Sequence, residues 1–149
     1  MKRASLWVMI LVLAGPPILA QGQTCPNPQK IGPEVRITNA AGGSSRPSLV
    51  WTNSEFGLSW QDNRDGNYEI YFARISADGT KLGSDARITT GTSPSLVWAG
   101  SEYGVSWDGI YFVRISAAGE QIGSELYVSD DCFFCERVDY PSLVWSGSE

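Results

Sequence analysis

The chain contains no histidine. With it go the histidine-based catalytic triads, the His/Glu metalloprotease sites and the zinc fingers that use a neutral imidazole as base or ligand. Only Cys25, Cys132 and Cys135 offer a thiol, one short of a four-cysteine zinc site. Charge is scarce as well: charged residues make up 18% of the chain and acids outnumber bases 16 to 11. No basic surface for nucleic acid is expected from that balance. The apolar run Leu6 to Leu13 falls short of the about 20 residues that a membrane-spanning helix needs. What remains is an ordinary globular composition, 149 residues with 42% apolar, enough to bury one core.

The first segment reads as an address. Lys2 and Arg3 precede the apolar run, Pro16-Pro17 break it, and Ile18-Leu19-Ala20 offers a small residue for cleavage, the three-part pattern of a secretory signal. Residues 1–20 are therefore expected to be removed, with a secreted or periplasmic product and no membrane anchor. Lipid attachment at Cys25 is not expected, because Gln23-Thr24 replace the small residue that the motif requires.

Beyond the leader, the chain repeats itself. The string PSLVW occurs at Pro47 to Trp51, Pro94 to Trp98 and Pro141 to Trp145, 47 residues apart each time. After the first two copies come SEFGLSW (54–60) or SEYGVSW (101–107), then EIYFARISADG (69–79) or GIYFVRISAAG (109–119), then KLGSDARIT (81–89) or QIGSELYVS (121–129). A fragment of the last part, KIGPEVRIT, stands at 30–38. Two length changes cancel within the constant period: the second unit loses residues between Trp107 and Ile110 and gains others around Cys132-Phe133-Phe134-Cys135. Those are the variable loops.

Phe56, Leu58 and Trp60 alternate with Gly57 and Ser59, as Tyr103, Val105 and Trp107 alternate with Gly104 and Ser106, which is the period of a strand. Ile70 to Ala73 and Ile110 to Val113 are apolar without alternation, as in a strand covered on both faces. Asp65-Gly66, Asp78-Gly79 and Ala118-Gly119 supply the turns. Four antiparallel strands per repeat, apolar on both faces, predict an all-β fold built from β-propeller blades. The domain plan is a signal at 1–20, an N-terminal segment at 21–46 with a candidate ring-closing strand at 30–38, blades at 47–93 and 94–140, and the start of a third at 141–149.

Asn63-Arg64-Asp65-Gly66-Asn67, Glu69-Ile70-Tyr71, Asp78-Gly79 and Arg87-Ile88-Thr89 resemble the repeat of TolB-like propellers, an R-D-G-N-x-x-I-Y hairpin followed by a D-G turn and an R-L-T end. The second repeat keeps Ile110-Tyr111 but has Ala118 and Tyr127 where the first has Asp78 and Arg87. Ser76-Ala77-Asp78-Gly79 is similar to the sialidase-type box, with its glycine one place early. The resemblance implies a secreted or periplasmic bacterial propeller of six to eight blades serving as a binding scaffold.

Two blades do not close a ring, which takes at least four. Three large side chains of roughly 150 Å² on each open face would expose about 450 Å², above the ~400 Å² suited to a soluble monomer. Further blades are therefore expected, from a longer chain or from homo-oligomer copies. Among candidate sites, Asp62, Asp65 and Glu69 cluster in one loop as possible ligand contacts. The EF-hand register fails there, with Gln61 and Phe72 at its two ends, so no metal is expected, nor any cofactor. Cys132 and Cys135 form a C-x-x-C expected to close as a local disulfide in an exported chain, with free thiols the alternative. Trp51, Trp60, Trp98, Trp107 and Trp145 recur at matched positions and read as repeat core. Arg74 and Arg114 are equivalents, and so are Glu55 and Glu102, whose separate repeats make a poor glycosidase pair. Three functions remain: a non-enzymatic scaffold binding protein or glycan through its loops, a propeller glycoside hydrolase or lyase with carboxylates or arginines converging on its inner strands, and a self-assembling lectin-like ring.

Overall fold

A computed structural model describes residues 29–30, 32–128 and 140–147. The signal segment at 1–20, Cys25, Cys132 and Cys135 lie outside the described residues. The chain divides into a unit Met1–Pro33 and a unit Glu34–Glu149. The described residues of the first form neither strand nor helix, and every strand belongs to the second.

The all-β expectation holds, with eight strands and, among the described residues, no helix. Strands β1 (Ser44–Trp51), β2 (Glu55–Asp62), β3 (Glu69–Ser76) and β4 (Lys81–Thr90) form one antiparallel sheet in chain order. Strands β5 (Ser95–Trp98), β6 (Glu102–Trp107), β7 (Tyr111–Ser116) and β8 (Gln121–Tyr127) form a second. The turns fall where glycine was expected, with Gly66, Gly79 and Gly119 at φ of 95°, 89° and 94°. Ile110 differs from expectation. It lies in the turn before β7 at φ 56°, because the shortened connection leaves only residues 108–110 to reverse the chain between β6 and β7.

The core forms between the sheets. Ile70, Phe72 and Ile88 of the first pack with Leu96, Tyr103, Val105, Trp107, Val113 and Ile115 of the second. The fit depends on size alternation: a Cβ on Gly57 would meet the Tyr103 ring at 2.4 Å, so only glycine lets that ring seat against β2. Because β3 has cover on both faces, it is buried almost throughout. In β7 the face carrying Phe112 and Arg114 is open, and Arg114 is exposed.

Trp60 and Trp107 are buried and stack on Tyr71 and Tyr111, their cross-strand partners, with centroids 6.0 and 5.6 Å apart. Trp98 is half-buried against Tyr103. Trp51 and Trp145 are 43% and 41% exposed, so these two equivalents stand outside the core. Position in the repeat therefore does not fix burial; what covers the position does.

Residues 34–38 form no strand. A strand needs a ladder partner, and among the described residues none pairs with 30–38, the segment expected to close the last blade as its outer strand. Ile37 instead packs on Leu58, Trp60, Tyr71 and Ala73, over the far face of the first sheet.

One contact recurs with the repeat. Ser48 Oγ accepts from the Leu96 backbone N–H at 2.9 Å, and Ser95 Oγ accepts from Leu143 N–H at 2.9 Å. Although residues 141–147 form no strand, they are anchored to β5 as β5 is to β1. Ser48→Ala is expected to cost about 1 kcal/mol in urea unfolding, the worth of one part-buried hydrogen bond. Ser95→Ala should instead raise amide exchange at Leu143.

Candidate functional site

The three loop carboxylates singled out from the sequence have internal partners. The Asp62 side chain is fully buried and accepts from Ser44 Oγ at 2.7 Å, Trp60 Nε1 at 3.1 Å and Arg64 Nη2 at 2.8 Å. Arg64 also holds Asp85 at 3.0 Å and Thr38 Oγ1 at 3.1 Å, and its guanidinium lies 3.9 Å from the Tyr71 ring centroid. These donors, Arg64 above all, keep the Asp62 carboxyl well below the usual carboxylate range against the opposing effect of burial. Asp65 accepts from the Tyr71 hydroxyl, and Glu69 pairs with Arg87 at 2.6 Å. Burial, followed by the hydrogen bond to Asp65, raises the Tyr71 phenol. The structure thus gathers Asp65 and Glu69 around Tyr71 and turns Asp62 toward Arg64. Among the described residues no set of three acidic or cysteine side chains is arranged to hold a metal ion.

The repeated glutamates are equally committed. Arg74 clasps Glu55 through two bonds at 2.6 and 2.8 Å, and Arg114 clasps Glu102 through two at 2.6 Å. Such forks lower both carboxyls and hold them ionised, the opposite of what a general acid needs. A cleft of about 440 Å³ lies between Phe72, Leu82 and Ala118, but its one charged lining residue is Arg74, already bound to Glu55.

A different cluster appears where the PSLVW strings begin. Arg46, Ser93 and Tyr140 each precede the proline of a PSLVW string, and stacking of the repeats brings them together. Arg46 Nη1 donates to Ser93 Oγ at 2.6 Å, and its guanidinium carbon lies 4.5 Å from the Tyr140 ring centroid. All three take positive φ, at 53°, 57° and 69°. That conformation is costly for a side-chain-bearing residue, and doubly so before proline, which favours extended backbone. In β1 the ladder with β2 slips between Ser45 and Ser48, a bulge of the kind that re-aims a side chain. Gln61, buried under the bulge, donates to Ser45 Oγ at 3.1 Å and accepts from Ser93 N–H at 2.9 Å, fixing the two repeats relative to each other here.

The sequence held a signal for this cluster: the residue before PSLVW changes from copy to copy while the string stays constant. The same left-handed backbone thus recurs at three equivalent places while the side chains differ. Arg46→Gly is expected to be more stable than Arg46→Ala by up to about 1 kcal/mol, since both lose the side-chain contacts and only glycine relieves the left-handed strain. Thermal unfolding checks this against Arg46→Ala, which loses the same contacts with Ser93 and Tyr140 but keeps the strain; Arg46→Gly no more stable than Arg46→Ala would mean that the conformation carries no strain. In comparisons with known proteins, no family model, no curated protein and no solved structure matches the chain.

Proposed function

We propose that the chain is an exported, non-enzymatic binding scaffold of β-propeller repeats, similar in plan to the TolB-like group, and that it binds a protein or glycan at the inner-strand end where Arg46, Ser93 and Tyr140 meet. The observation that carries this reading is that the variable residue of a constant string falls, in three successive repeats, at one place. Loops and strand ends that vary over a constant frame are where binding surfaces are built. The propeller reading draws support from sheets stacked in chain order and from a joint that recurs with the repeat. Glu55 and Glu102, each forked by an arginine, disfavour the glycosidase reading.

A glycan array and a peptide library, screened with the full chain and with a triple variant carrying Arg46→Ala, Ser93→Ala and Tyr140→Ala, test the proposal. Ligand capture by the parent that is lost in the folded triple variant supports it. Turnover of a bound glycan, or capture that survives the triple substitution, overturns it.

A further inference from the structure

We infer that the Arg46–Ser93–Tyr140 cluster takes a carboxylate group. This assignment rests on the scaffold reading and names the chemistry of its ligand. The cluster is rich in donors and poor in acceptors. Arg46 spends one of its five N–H donors on Ser93, leaving four, those of Nε and Nη2 among them, and arginine accepts nothing. Among the described residues, neither the Ser93 hydroxyl hydrogen nor the Tyr140 hydroxyl has an acceptor. Arg64, Arg74, Lys81, Arg87 and Arg114 each lie 2.6–3.0 Å from a carboxylate. Arg46 is exposed and, like Arg36, has no carboxylate partner among the described residues, but it alone of the two faces a hydroxyl and an aromatic ring from other repeats. In a chain of net charge −5, a cation with no carboxylate partner among the described residues, at a strained and convergent position, is equipped to receive an anion from outside.

The class of anion follows from the count of charges. A single guanidinium presents a planar fork that matches the two oxygens of a carboxylate and balances its one negative charge. A phosphate near neutral pH carries more charge than one arginine neutralises, in a field that is already acidic. Tyr140, 66% exposed, adds a flat apolar surface beside the fork. A free carboxylate and one borne on an acidic peptide share this chemistry.

Nitrogen-15 NMR of the full chain, titrated with acetate, with a hexaglutamate peptide, with inorganic phosphate and with a neutral oligosaccharide, tests the inference. Acetate is expected to shift the Arg46 Nε–Hε resonance and the Ser93 and Tyr140 amides, with a dissociation constant of order millimolar. Tighter binding of hexaglutamate identifies a peptide source, and equal binding per carboxylate identifies free acids; either supports the inference. Arg46→Lys should weaken acetate binding about tenfold, because a point charge replaces a fork, and Arg46→Gln should abolish it while the spectrum stays dispersed. Phosphate or the neutral sugar moving these resonances where acetate does not would overturn the carboxylate assignment and leave the scaffold reading standing. Silence of all four probes would also overturn it, and the library screen then judges the scaffold independently.

Discussion

Gly57→Ala is expected to lower the unfolding free energy by about 2 kcal/mol, with Gly57→Val costing more, the penalty of overpacking a close-packed core. The added Cβ would lie 2.4 Å from Tyr103 Cε1 and 3.0 Å from two further ring atoms. Tyr103 has no room to yield: it is fully buried and wedged between Phe72 and Trp98, with centroids 4.9 and 4.6 Å away. Gly104, the equivalent residue of the second sheet, supplies an internal control. A Cβ there would meet the ring edge of Phe112 at 2.9 Å, but Phe112 lies on a more open face and can turn aside. Gly104→Ala should therefore cost distinctly less. Shrinking the ring with Tyr103→Leu should relieve the clash, so the Gly57→Ala/Tyr103→Leu pair is expected to be non-additive by about 1 kcal/mol or more. Urea unfolding followed by tryptophan fluorescence measures all four proteins. Simple additivity would mean that these two residues do not face each other across the sheets.

Asp62→Ala should be the more damaging substitution, at about 3–5 kcal/mol, because removing a buried carboxylate leaves the donors gathered on it unsatisfied. Arg64 would keep Asp85, but the indole of Trp60 and the hydroxyl of Ser44 would lose their common acceptor. The pH dependence has a definite sign. With its folded carboxyl depressed by Arg64, Asp62 contributes stability that is complete above the ordinary aspartate range near pH 3.9 and is lost as pH falls toward the lowered folded value. The variant is thus expected to show a shallower loss of stability between about pH 4 and 2 than the parent. Parallel acid limbs would show that the network around Asp62 is not what acid dismantles.

Much of the frame is legible in the chain itself. Alternation in Phe56-Leu58-Trp60 and Tyr103-Val105-Trp107 marks strands, and Gly66, Gly79 and Gly119 mark the turns, because those signals are local. The site is harder to read for the opposite reason. Arg46, Ser93 and Tyr140 are far apart in sequence and meet only once the sheets stack, whereas Asp62, Asp65 and Glu69 look like a site because they are close in sequence. Arg64 stands in the same loop and, with Tyr71 and Arg87, absorbs all three. Burial at Trp51 and Trp145 does not follow from their repeat positions, since cover depends on a neighbour rather than on the residue. The segment 34–38 has strand-like composition and, among the described residues, no strand to join.

The serine joint between repeats is directional: each unit presents a hydroxyl on one side and the next offers an amide on the other. Tandem duplication of one 47-codon stretch would carry this hydroxyl and amide along with it, so that each added unit brings the serine joint to its new neighbour. Growth or shortening by whole modules is then a small genetic step, and the interior positions that seat one module on the next are where drift between copies would be penalised first.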